Sequence, residues 1–218
     1  KEIAAPISIA KLEQAIVEAQ IPVDHADAAV VLYLQGSEDS LQEQAKVLLL
    51  GEMLSSPFYN SLRTEKQLGY VVSAFASNQS RVPGLAMLVQ SPVADEARLR
   101  DEFNQFIANY SADVDGLTSK DIKRYQTSVL NSLEERPKNL GEMNGRFMES
   151  VGLGYRQFDF REQLAKEVRA VTADSLQDAY QRILLKNPRA LWLQTADASA
   201  ENTAVDLRKP GQIYEYDF

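Results

Sequence analysis

Arg63 and Tyr70 are the two side chains in this sequence best suited to act together on a peptide. Both donate hydrogen bonds to carbonyl oxygens, and neither must lose a proton to do so. A guanidinium offers a planar fork of donors; a phenol offers a single O–H. Held on one rigid corner, the pair could keep a peptide backbone in register and stabilise an oxyanion. A plainer account stays open on composition alone. Arg63 would complement the negative end of a helix, and Tyr70 would be a half-buried strand aromatic.

The corner is written in residues Ser55 to Val72. Ser56 reads as an N-cap and Pro57 as a first helical residue, where a missing N–H costs nothing. Gly69 reads as the left-handed stop. The run Tyr70 to Phe75 is β-branched and aromatic, as a strand prefers. A short helix turning directly into a strand would set Arg63 in its last turns and Tyr70 at the first strand position.

The ungapped block Pro57-Phe58-Tyr59-Asn60-Ser61-Leu62-Arg63-Thr64-Glu65-Lys66-Gln67-Leu68-Gly69-Tyr70 resembles a signature of the pitrilysin/insulysin zinc metallopeptidases. It matches the C-terminal half of those enzymes, where an Arg and a Tyr at this separation contact substrate. A weaker likeness runs from about Ala28 to about Thr195. The resemblance implies the last of the family's four related domains. Residues 1–27 would be a linker from a preceding domain, 28–195 the C-terminal non-zinc domain and 196–218 a polar tail. A first residue of Lys fits a piece of something longer.

The family binds zinc through an inverted His-x-x-Glu-His helix and a downstream Glu. This chain has one histidine, His25, flanked by Asp24 and Asp27, and it reads as a surface residue. The usual His-rich zinc site cannot be built from it. The resemblance therefore implies zinc in the complete enzyme, bound by the N-terminal half, with none in this chain. The partners implied are that half and a peptide substrate. Tyr70 would donate to the oxygen that becomes negative, and Arg63 would bind a neighbouring substrate carbonyl. The chain alone is expected to be inactive. Bacterial members would place it in the periplasm. The rival reading is a non-catalytic interaction or scaffold domain, or a core subunit of a related peptidase. Arg63 and Tyr70 together argue against that, since a scaffold needs neither.

Other candidates have ordinary explanations. Glu134-Glu135-Arg136 and Asp101-Glu102 read as solvated helix faces. Glu65 and Lys66 frame the helix. Ser55 and Ser56 have no triad partners at a credible spacing. Gly152 and Gly154 fall short of a nucleotide fingerprint and read as helix termination. Phe147, Phe158 and Phe160 read as core.

Composition narrows the classes further. The 218 residues carry a formal net charge of −8, which disfavours nucleic acid as a partner. No apolar run is long enough to span a membrane, and no leader with an apolar centre is visible. The absence of cysteine excludes disulfides and a thiol nucleophile.

In chain order, Ser8 to Ala19 shows a modest helical spacing that Pro22 ends. Ala28 to Gln35 is an apolar strand. A helix follows over Ser37 to Leu54, capped by Ser37 or Ser40, and then the corner. Tyr70–Ser77 and Leu85–Gln90 read as an antiparallel pair. Helices are expected from Asp95, from the capping box at Thr118, from Leu140, from Phe160 and from the Thr172 cap. Ala190 to Thr195 is a closing strand. Ala196–Asp206 reads as loop, Lys209-Pro210-Gly211 as a turn, and Ile213–Tyr216 as an added edge strand or docked tail. Strands bracketing a helical middle make this α+β: a small, mostly antiparallel sheet with helices packed on one face.

Overall fold

A computed structural model describes residues 7–12, 16–155, 157–200 and 213–216. The strands are β1 (Ile7–Ala10), β2 (Ile16–Val23), β3 (Ala28–Gln35), β4 (Val71–Ala76), β5 (Gly84–Ser91), β6 (Arg189–Asp197) and β7 (Ile213–Tyr216). The helices are α1 (Leu41–Tyr59), α2 (Glu96–Asp115), α3 (Ser119–Glu134), α4 (Leu140–Gly152), α5 (Phe160–Ala170) and α6 (Ala173–Tyr180). The main sheet has the order β2-β6-β3-β5-β4. Only β2 and β6 run parallel; the other three pairings are antiparallel. The fold is the expected α+β sheet with helices on one face.

Alternation of side chains sorts the sheet into two faces. Val30, Leu32 and Leu34 of β3, Leu85, Met87 and Val89 of β5, and Trp192 of β6 point into one core with the helices. Phe58 of α1 lies there edge-on to Phe103 and Phe106 of α2, each with ring centroids 5.1 Å away. The opposite face carries Val31, Tyr33, Leu88, Leu191 and Leu193, which floor an apolar groove of about 740 Å³.

Capping residues start the helices as their chemistry predicts. Ser40 accepts from Glu43 N–H and opens α1. Thr118 and Asp121 form a reciprocal capping box on α3, and Thr172 with Ser175 does the same on α6. Beneath the start of α1, Arg182 donates to both carboxylate oxygens of buried Glu43, at 2.7 and 2.8 Å.

Four expectations are corrected. The helical spacing over Ser8–Ala19 does not yield a helix: Ile7–Ala10 and Ile16–Val23 are strands. Pro22 is tolerated because β2 is an edge strand. Ser56 and Pro57 do not open a new helix, since both lie inside α1, which runs on to Tyr59. Phe147 and Phe158 are exposed rather than core, although Phe160 is buried. Finally, β7 pairs with β1 in a separate two-stranded sheet and does not extend the main one. The turn read at Lys209–Gly211, and most of the loop read at Ala196–Asp206, lie outside the described residues.

Candidate functional site

Pro57 removes one N–H from the middle of a helix, and the acceptor it deserts is the Met53 carbonyl. The Tyr110 hydroxyl of α2 reaches that oxygen at 3.5 Å. The helix survives and widens into a π-helical turn over Asn60–Glu65. Lys66 N–H then bonds Ser61 C=O at 3.0 Å, and Leu68 N–H returns to Leu62 C=O at 2.9 Å. Leu62 and Leu68 are fully buried and pin the two sides of the turn.

The left-handed residue that ends this turn is Gln67, at φ 52°, and not Gly69. Gly69 is needed for another reason. A Cβ on it would stand 2.3 Å from the Gln90 carbonyl oxygen of β5. That close approach lets Tyr70 N–H bond the same carbonyl at 3.2 Å, and β4 starts directly afterwards.

Arg63 thus projects from the last π-turn and Tyr70 from the entry of β4, both exposed. Arg63 makes no hydrogen bond or ion pair among the described residues, so its donors face outward. Lys66, beside it, pairs with Glu102 of α2 and ties the corner to the helical layer. Glu102 is therefore a strut and not a purely solvated charge.

The Tyr70 side chain is 49% exposed, and its hydroxyl donates to Asp27 Oδ2 at 2.9 Å. This hydrogen bond and the nearby negative charge raise the pKa of the phenol above its ordinary value. The phenol therefore stays neutral to a higher pH than an isolated tyrosine would. Nothing local in the sequence links Asp27 to Tyr70, which it precedes by 43 residues. Pairing of β3 and β4 on either side of β5 brings the two together, with Ala28 opposite Ser91 and Val71 opposite Gln90. No local signal in the sequence encodes that meeting.

Asp27 also borders a cleft of about 720 Å³ with Asp24, His25, Asp95 and Asp197. His25 is exposed, and its Nδ1 accepts from Asp27 N–H at 3.0 Å. Among the described residues no group of three or more His, Cys, Asp or Glu could hold a metal ion. The residues described therefore do not fit a catalytic zinc. Gly152 and Gly154 only close α4, with Gly154 at φ 71°.

Residues 49–148, which contain the whole corner, match the family model for the C-terminal lobe domain 4 of PqqF-like PQQ synthases. Protease 3 of Escherichia coli K12 is 26% identical over 187 residues, 86% of this chain and 19% of that protein. A crystal structure of pitrilysin superposes with a TM-score of 0.78 at 22% identity, covering 92% of this chain and 22% of that one.

Over most of its length this chain is similar to the C-terminal part of pitrilysin-type peptidases.

It spans about a fifth of the length of such curated relatives. The fold also recurs in an inactive peptidase domain of a putative zinc protease from Bordetella parapertussis. There the TM-score is 0.62 at 14% identity, covering 78% of this chain and 93% of that one. No helix among the described residues is long and apolar enough to cross a membrane.

Proposed function

We propose that this pitrilysin-type domain supplies one wall of a zinc endopeptidase that degrades small polypeptides. The observation that carries the reading is the corner itself: an unpaired guanidinium and a protonated phenol presented outward from one rigid turn. Arg63 binds a substrate carbonyl and fixes the register of the backbone. Tyr70 donates to the carbonyl oxygen as it gains negative charge during peptide hydrolysis, where a donor stabilises the transition state more than the substrate. The neutral carbonyl replaces Asp27 as the acceptor of the phenol proton.

The metal belongs to a half of the enzyme outside these residues. The lead-in from a preceding domain falls within residues 1–27, residues 28–195 carry Arg63 and Tyr70, and 196–218 is an appended tail. Peptide substrate and the zinc-bearing half are the partners, and the periplasm is the compartment. The inactive-domain relative from Bordetella favours a second reading, a non-catalytic scaffold of the same fold. A scaffold gives no role to an outward Arg63.

The test is the mass and zinc content of the native polypeptide carrying this segment, captured with an antibody to these residues. A chain about four domains long with one zinc is expected. A native chain of 24.4 kDa without zinc would overturn the reading in favour of a scaffold or separate subunit.

A further inference from the structure

α4 is an amphipathic helix whose apolar side is largely open, with Met143, Phe147 and the neighbouring Phe158 bordering a groove of about 500 Å³ against α3 and α5. Leu140, Met143, Phe147, Met148 and Val151 all lie open, Leu140 at 81%. Phe158, in the following loop, joins them edge-on to Phe147 with ring centroids 5.2 Å apart. Ser150 is the single buried residue of the helix. A helix this short is marginal on its own in water and depends on packing its apolar face. Among the described residues that face is only partly covered.

We infer that this ridge docks on another domain of the same polypeptide; the inference rests on the reading that the chain works as one domain of a larger peptidase. The exposed fractions of the six side chains leave roughly 600 Å² of apolar surface open, the upper end for the largest patch on a soluble monomer. That area suits a contact between linked domains. It falls short of the ~800 Å² per partner of a standard free-standing complex. Tethering raises the effective concentration, so a smaller patch suffices.

Glu142 and Glu149 lie on the side of α4 opposite Leu140, Phe147 and Val151, so the ridge itself carries no charge. The flanking charges are also engaged within the domain. Arg146 donates to the Glu135 carbonyl, Arg169 pairs with Glu134, and Arg161 donates to the Ser132 and Leu133 carbonyls. The surface that meets the ridge is accordingly apolar. In E. coli Protease 3 the matched region is 19% of one continuous chain, so a linked domain is at hand there.

The test is hydrogen exchange on the native polypeptide, wild type beside the Phe147→Ser/Phe158→Ser variant, with Leu140→Ser as a milder second variant. In the wild type α4 should exchange slowly. In the variants its exchange should rise about tenfold or more, and a segment outside residues 1–218 should speed up with it. Fast exchange of α4 in the wild type, or changes confined to residues 1–218, would overturn the inference. So would a dimer, seen by sedimentation, that the wild type forms and the variants lose. A native polypeptide with no residues beyond these 218 would instead bring down the larger-peptidase reading. Unchanged kcat in Tyr70→Phe would bring down the role of the corner and leave the docking result standing.

Discussion

The Tyr70 hydroxyl donates to Asp27 Oδ2 across 2.9 Å, joining the entry of β4 to the turn before β3. The hydrogen bond and the negative charge both favour the neutral phenol. Asp27→Asn removes the charge and weakens the acceptor. Tyr70 should then ionise at a lower pH than in the wild type. An ultraviolet titration of the tyrosines, with Tyr70→Phe to identify the signal, reads the shift. An unchanged titration would show that Asp27 does not hold the phenol in solution.

The role proposed for Arg63 is one that a point charge cannot fill. A planar fork can bind a carbonyl and hold its direction; an ammonium gives charge without that geometry. In the complete polypeptide, Arg63→Ala should lower kcat/KM on a peptide substrate by roughly 10-fold or more, the loss of one hydrogen bond from a charged donor. Arg63→Lys should recover only part of it. Full recovery by Lys would reduce the role to simple charge attraction.

Gly69 sets how closely the corner sits against β5. Adding a methyl group places an atom 2.3 Å from the Gln90 carbonyl oxygen and 2.9 Å from a Val89 methyl. Both neighbours belong to the central part of the sheet and cannot swing away. Gly69→Ala should cost roughly 2–3 kcal/mol. It should also displace Tyr70, whose N–H bonds the same carbonyl. Urea denaturation measures the first effect, and kcat in the complete polypeptide the second.

The Glu43–Arg182 pair makes part of the stability of the domain depend on pH. Burial pushes the Glu43 pKa up, but hydrogen bonds from Arg182 and from Ser37 N–H, with the charges of Arg182 and Lys46, overcome it and leave it lowered. A carboxylate whose folded pKa lies below its unfolded value adds stability above the unfolded pKa. That stability is lost as the pH falls through the folded value. Arg182→Met leaves the buried carboxylate without its partner. The cost should be roughly 3 kcal/mol near neutral pH, the low end for a broken buried pair because Arg182 is itself partly exposed. The loss should be largest near neutral pH and shrink as the pH falls and Glu43 takes up a proton. Urea denaturation across a pH series checks both.

What the sequence revealed and what it hid follow from the range of the interactions. Ser40, Thr118 and Thr172 announce their helices because a cap acts on residues three positions away. β3 announces itself because nearly every residue in it is apolar. The corner was legible as a helix passing into a strand with Arg63 and Tyr70 on it. Its internal geometry was not. Pro57 reads locally as a helix start, yet the Tyr110 hydroxyl lies 57 residues away and satisfies the carbonyl it leaves. Gly69 reads as a stop because glycine usually serves there, but here it makes room for Gln90. β2 was hidden because Ile16 and Ala19 happen to match a helical spacing. Its edge position leaves much of the strand exposed, so no clean alternation appears. Phe147 and Phe158 read as core because their spacing shows that a face is apolar, not what covers it.

The most direct test of the corner is kcat for Tyr70→Phe in the complete polypeptide, measured with a saturating peptide substrate. Removing one hydroxyl leaves the ring and the fold in place. If the phenol donates to the developing oxyanion, kcat should fall by roughly 10²-fold, as for loss of an oxyanion donor, with KM little changed. An unchanged kcat would contradict the account and return Tyr70 to the role of an exposed strand aromatic.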